Sequence, residues 1–296
     1  MDQNAERLKL KKQIKKEKRK RFFKAMFSRR LVIVGAIGLC FFLFLAIFAN
    51  VLTPYDPNET NAWAILEPPS AEHPLGCDNY GRDTLARILY GARVSIIVGV
   101  VAVAIACVIG VCLGLFAAYF GGIVDIIIMR LSEALMSIPR VMVSLALIAI
   151  IGNSIFDLAL ILSISTVPTY VRMMRAMALG VKNSDYVKAA QIQGRSDLFI
   201  MFRHVLPNCI SPIIIMMMQN VGATILMESG LSFLGIGISV PIASWGTMVN
   251  DGRNYLLSNP VLAIAPGVCI ALLVISLNML GDGIRDALDP RLRGEV

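Results

Sequence analysis

Apolar stretches long enough to cross a bilayer as helix recur along this chain, and they constrain its fold more than any other feature. A spanning helix needs about 20 consecutive apolar residues. Leu31 to Val51, Val94 to Phe120, Asn208 to Met227 and Pro260 to Leu280 meet or approach that length with few charges. Phe156 to Val171 is a shorter candidate. A further one, about Arg130 to Ile151, follows a charged start at Asp125, Arg130, Glu133 and Arg140. With 56% hydrophobic and 16% charged residues, the chain is too apolar for a soluble all-α domain, whose helices keep a polar stripe. The expectation is an all-α polytopic membrane protein with six transmembrane helices.

Charge asymmetry orients those six spans. Residues 1–30 hold 13 Lys and Arg against 3 acidic residues, a basic arm of net +10; the remainder nets −2. An arm lying directly before an apolar span holds the first helix's start in the cytoplasm and can touch anionic lipid, a better reading than nucleic-acid binding. Leu31 to Leu52 is too long for a signal-peptide core, so it stays as a helix. The loop from Pro54 to Arg93 carries 3 Arg and no Lys against 6 acidic residues, which suits the outer side. The loop from Arg172 to Arg203, with 6 Lys and Arg against 2 Asp, suits the inner side. Both termini then face the cytoplasm. The expected organisation is a basic arm (1–30), a first helix with an external segment (31–93), a core of five helices (94–283) containing the inner loop 172–206, and a cytoplasmic tail (284–296).

The most informative polar segment is YVKAAQIQGRSDLFIMFRHVLPN, Tyr186 to Asn208. Ala190 and Gly194 are four apart and would share a helix face without bulk. Gly194 suits the position just past a helix end. Ser196 or Asp197 can cap a second short helix, and Pro207 suits the start of a third. The expected product is two short helices at an angle, with a flat small-residue patch that another protein's backbone approaches closely. Lys188, Arg195 and Arg203 would rim that contact.

This segment resembles the coupling loop of ATP-binding cassette importer permeases. The family pattern is Glu-Ala-Ala, three residues, Gly, nine residues, an apolar residue, one residue, then Leu-Pro. Here it reads Lys188-Ala189-Ala190, Gly194, His204 and Leu206-Pro207. Lys188 replaces Glu and His204 replaces the apolar residue, and the form FRHVLPN resembles the peptide-and-nickel branch. HPLGCDNYGRDTLARILYGARVS (73–95), GLSFLGIG (230–237), SWGTMVNDGRNYLL (244–257) and LGDGIRDALDPRLRG (280–294) resemble that branch's dipeptide/oligopeptide "C" permease.

The resemblance implies a type I importer fold in a multi-pass protein of the bacterial inner membrane. Its implied partners are a second homologous permease, two ATP-binding subunits and an external substrate-binding protein. Lys188, Ala189, Ala190, Gly194, Arg195, Asp197, Arg203, His204, Leu206 and Pro207 would couple the chain to the ATPases. Peptides are the implied substrate, with nickel or a metal chelate as the alternative within the branch. No GxxxxGK[ST] sequence occurs, so ATP and magnesium are expected in the partners, and the chain itself is expected to be no enzyme and to hold no cofactor.

Charges near the membrane are costly and often mark a pathway, which nominates Glu133, Arg140 and Glu228. Arg130 and Glu133, three apart, could simply pair. Trp63, Trp245 and Tyr255 suit interface anchors. Gly110-x-x-x-Gly114 is a close-packing signature. His73 and His204 are isolated, Cys77 lies in a polar loop with no obvious partner, and no CxxC pair occurs, which supports neither a metal site nor a disulfide framework. A channel or secondary transporter working alone is the reading from a different class.

Overall fold

The computed structural model describes residues 16–17, 26–27 and 29–288. Most of the basic arm and the last eight residues of the tail therefore lie outside the described residues. What is described is helical: α1 (Arg30–Leu52), α2 (Thr84–Phe120), α3 (Gly122–Ser137), α4 (Arg140–Ile151), α5 (Ile155–Lys182), α6 (Asp185–Ile192), α7 (Asp197–Phe233), α8 (Trp245–Gly252) and α9 (Val261–Leu288). No strand occurs among the described residues. Five of these helices are long and apolar enough to cross a membrane, and α3 with α4 makes a sixth crossing if the bent pair is one span.

That pair corrects the expected third span. A single helix does not run from Arg130 to Ile151; α3 and α4 meet at 95°. Pro139 sits at the start of α4, and Ile138 before it is extended (φ −98°, ψ 133°), the conformation that a following proline imposes.

The second helix also differs from expectation. It begins at Thr84 rather than near Val94, because the Asp83 side chain accepts the Ala86 N–H and caps it. The boundary drawn between residues 93 and 94 thus falls inside a helix. Arg87 and Arg93 made this turn read as loop, yet both are satisfied. Arg87 donates to the Pro57 carbonyl (2.8 Å), and Arg93 to the Ala46 carbonyl (2.9 Å). The turn before α5 is closed by a reciprocal capping box between Ser154 and Asp157.

α2 and α5 form the most intimate pair of the bundle. A Cβ on Gly110 would lie 2.4 Å from the Tyr170 Cβ, and one on Gly114 would lie 2.4 Å from the Val171 carbonyl oxygen. Without a hydrophobic effect between helices in lipid, such contact supplies the packing energy. α9 lies against α1 and α7, and α7 against α2. Along α1 the outer face shows Leu31, Ile37, Phe41, Ile47 and Val51, a surface that lipid accepts and water does not.

Trp245 is no interface anchor. It is fully buried at the start of α8, donates Nε1–H to the Ile88 carbonyl (2.9 Å) and meets Phe42 edge-on. Trp63, in contrast, is almost wholly exposed.

Candidate functional site

α6 ends in two bonds that only a left-handed residue allows. Gly194 has φ +71°; its N–H reaches the Gln191 carbonyl (2.9 Å) and the Arg195 N–H reaches the Ala190 carbonyl (3.2 Å). This is the expected helix stop, and it turns the chain into α7. There the structure departs from the sequence reading. Neither Ser196 nor Asp197 caps α7 with its side chain. Asp197 instead accepts the Tyr119 hydroxyl from the end of α2, at 2.7 Å.

Pro207 does not start a separate helix. Met201–Val205 widen into a π turn, with the Leu206 N–H bonded to the Met201 carbonyl, and the helix continues through Pro207 to Phe233. The wider turn accommodates a ring that would otherwise clash with the preceding turn.

The elbow has two faces. Val187, Ala190, Ile200, Met201 and Val205 point inward and join the main core. Ala190 is therefore packing against its own chain, and the expected flat patch of Ala190 with Gly194 does not exist as one surface. Lys188, Ala189, Gly194, Arg195, Asp197, Arg203 and Pro207 are exposed, and His204 and Leu206 are half-buried.

Beside them the structure shows what the sequence reading missed, a shelf of exposed Ile192, Leu198, Phe199 and Phe202, with Ile192 88% exposed. Arg195 stacks over the Phe199 ring at 5.4 Å, and His204 meets its edge at 5.7 Å. Apolar residues in a polar loop were the available signal, but periodicity alone does not separate them from core.

The elbow is tied to α2, and α2 in turn to α5. Besides the Tyr119–Asp197 bond, Lys182 at the end of α5 donates to the Ala118 carbonyl (3.2 Å).

The nominated pathway residues separate. Glu133 pairs with Arg130 at 3.0 Å, both exposed, as the spacing allows. Arg140 donates to the Thr166 hydroxyl on α5. Asp125 binds Arg175 of α5 in a two-pronged pair, one bond being 2.6 Å. Glu228 is fully buried and accepts from Ser232 (2.9 Å), Ser95 (3.3 Å) and Ser229 (3.3 Å). In this conformation it lines no surface; it ties α7 to α2.

At the opposite end of the bundle, buried Asp78, Arg82 and Arg87 form an ionic group with half-buried Asp251. Arg82 Nε lies 2.6 Å from Asp78, Arg87 Nε 3.5 Å from the same carboxylate, and Arg82 reaches Asp251 at 3.8 Å. Burial pushes the Asp251 carboxyl above the usual carboxylate range; Arg82 and Arg87 oppose the rise. A cavity of about 280 Å³ adjoins the group, lined in part by Arg87, Asn153, Asn250 and Asp251.

Nor is His73 isolated. Its Nδ1 lies 2.8 Å from Asp83, and a ring nitrogen, the Cys77 Sγ and a Glu67 carboxyl oxygen lie within 4.8 Å of one another.

Residues 110–294 match the family "Binding-protein-dependent transport system inner membrane component", and residues 19–69 match "N-terminal TM domain of oligopeptide transport permease C". The chain belongs to this family of transport permeases.

The permease is 39% identical over 271 residues to the dipeptide transport system permease protein DppC of Alkalihalophilus pseudofirmus, covering 92% of this chain and 89% of that one. Identity to the probable D,D-dipeptide transport system permease protein DdpC of Escherichia coli is 40%, covering 90% and 89%. To the glutathione transport system permease protein GsiD of Pectobacterium atrosepticum it is 35%, covering 92% and 91%. The fold is that of an importer permease solved in an inward-facing MetNI methionine ABC transporter, with a TM-score of 0.56 at 15% identity, covering 69% of this chain and 97% of that one. As a member of this family with several apolar helices, the permease is a multi-pass inner-membrane protein.

Proposed function

We propose that this chain is the membrane-spanning subunit of an ATP-driven importer that brings di- or oligopeptides into the cytoplasm. The names of its relatives support the substrate class. Both termini and the α6–α7 elbow lie on the cytoplasmic side in this reading, as the Lys and Arg distribution favours. The chain pairs with a second permease, takes substrate from an external binding protein and draws energy from two ATPase subunits that hold ATP and magnesium.

The observation that carries the coupling is the exposed shelf of Ile192, Leu198, Phe199 and Phe202 beside the Gly194 turn. An apolar surface set among Lys188, Arg195 and Arg203 is costly to leave in water and fits a protein partner. ATP-driven closure of the ATPases moves the elbow, and the elbow moves the ends of α2, α5 and α7. To shift the transporter from 1:99 to 99:1 between inward- and outward-open states, that contact must favour one state by about 5.5 kcal/mol.

Cysteines placed at Gly194 and Leu198 should crosslink to an ATPase subunit in the assembled transporter, while one at Val51, at the far end of α1, should not. Loss of capture at both elbow positions removes the coupling role. Uptake of labelled di- and oligopeptides should disappear on deletion of the chain and return with it. Uptake of nickel alone under the same conditions would reassign the substrate.

A further inference from the structure

We propose that Glu67, His73 and Cys77 bind a divalent metal ion of the zinc class, on the loop that precedes α2. The proposal does not depend on the transport reading. The three donors, a carboxylate oxygen, a ring nitrogen and a sulfur, lie within 4.8 Å of one another although 10 residues of chain separate the first from the last. Ligands on one tetrahedral zinc, with bonds of about 2.0–2.3 Å, stand roughly 3.3–3.8 Å apart. The donors need to close by no more than about 1.5 Å, a side-chain adjustment.

The donor set selects the ion. Thiolate with imidazole and one carboxylate suits zinc and its borderline neighbours. Calcium and magnesium require oxygen ligands throughout. Three protein ligands leave a fourth position for water.

The surroundings are built for this. Asp83 holds Nδ1 of His73 at 2.8 Å; when the carboxylate takes that N–H, the lone pair on Nε2 is left for the metal. A carboxylate behind a histidine is the usual support of a metal-bound imidazole. The loop backbone is fixed by bonds at each ligand residue. The Cys77 N–H reaches the Glu67 carbonyl (2.9 Å), the Gly76 N–H reaches the His73 carbonyl (2.8 Å), and the His73 N–H reaches Ser70 Oγ (3.0 Å).

A second observation is the state of Cys77. It is fully buried and free, and among the described residues its thiol has no hydrogen-bond partner. A buried cysteine often behaves as a small apolar group. Here its neighbours in the cluster are a carboxylate and an imidazole, which gain nothing from an apolar filler. Charge points the same way. The loop from Pro54 to Asp83 carries six acidic residues against one arginine, Arg82, which with Arg87 of α2 is already engaged by Asp78; Glu67 is left without an ion pair among the described residues.

The test uses the intact transporter, purified in detergent, freed of affinity tags and stripped of metal. Titration with Co2+ should give one ion per copy of this chain, with a thiolate-to-metal charge-transfer band that Zn2+ displaces. Cys77→Ser should abolish the band. Glu67→Gln should weaken Co2+ binding by about tenfold or more. Asp83→Asn keeps a competent helix cap but should weaken binding by about 10- to 100-fold, as loss of an outer-shell partner does. Absence of the band in the wild-type protein, or its survival in Cys77→Ser, overturns the proposal. If Cys77→Ser does not assemble, an unchanged Co2+ affinity in Glu67→Gln overturns it instead.

Discussion

The Tyr119 hydroxyl at the end of α2 donates to the Asp197 carboxylate at the start of α7, 2.7 Å away across 78 residues of chain. One bond thereby joins the ends of the two longest helices at the elbow. A hydrogen bond to a charged group is worth about 1.5–3 kcal/mol when buried, and this one is partly solvated. Tyr119→Phe should therefore destabilise the solubilised complex by about 1 kcal/mol. It should also lower the uptake obtained per ATP hydrolysed, because the elbow would move without carrying α2. Uptake per ATP equal to wild type would separate this bond from coupling.

Gly114 is a steric requirement. Its Cβ position lies 2.4 Å from the Val171 carbonyl oxygen, a backbone atom that cannot turn aside. Gly114→Ala should force α2 away from α5 and cost about 1–3 kcal/mol, the usual penalty of overpacking. Gly180, with open space around it, accepts the same substitution at no packing cost. Denaturant titration of the two variants in detergent checks the contrast.

Glu228 holds three serine hydroxyls, one of them on another helix. Glu228→Gln keeps a side chain of the same shape that can still accept and donate, so the assembled complex should form at near wild-type yield. Glu228→Leu strands the hydroxyls at about 1 kcal/mol each, and the yield should fall sharply. Equal damage from both variants would mean that charge, rather than bonding, is what the site requires.

Asp251 sets a pH dependence. Its pKa is raised by burial; Asp78 adds to the rise while Arg82 and Arg87 oppose it. A folded-state pKa above the unfolded value of about 3.9 means that the folded protein binds this proton more tightly. The contribution is neutral below the unfolded pKa and becomes destabilising as pH rises through the folded one. Asp251→Asn removes that slope, so its stability relative to wild type should climb from about pH 4 upward until Asp251 is fully ionised. Parallel melting curves across that range would contradict the assignment.

Several features were legible because they rest on local physics. Gly194 sits where only a left-handed residue closes a helix, and Gly110 with Gly114 marks the closest helix pair. The bend at Ile138-Pro139 was written in the proline and went unread, because the flanking apolar runs outweighed it. The start of α2 at Asp83 had a capping residue in plain view, masked by two arginines whose partners lie far off in the chain, at Pro57 in a loop and at Ala46 in α1. Other features had no local signal. Trp245 is buried by its approach to α2, Ala190 turns inward through the packing of Ile200 and Met201, and the neighbourhood of Glu67, His73 and Cys77 depends on how the loop folds back on itself.

The lengths of α2 and α7 have a further consequence. Each has 37 residues and rises about 55 Å, against a hydrocarbon layer of about 30 Å. The Tyr119–Asp197 bond sets the end of α2 level with the start of α7, so the two helices share the overhang on that face of the bundle. A bilayer would have to thicken by several turns of helix before it covered either one.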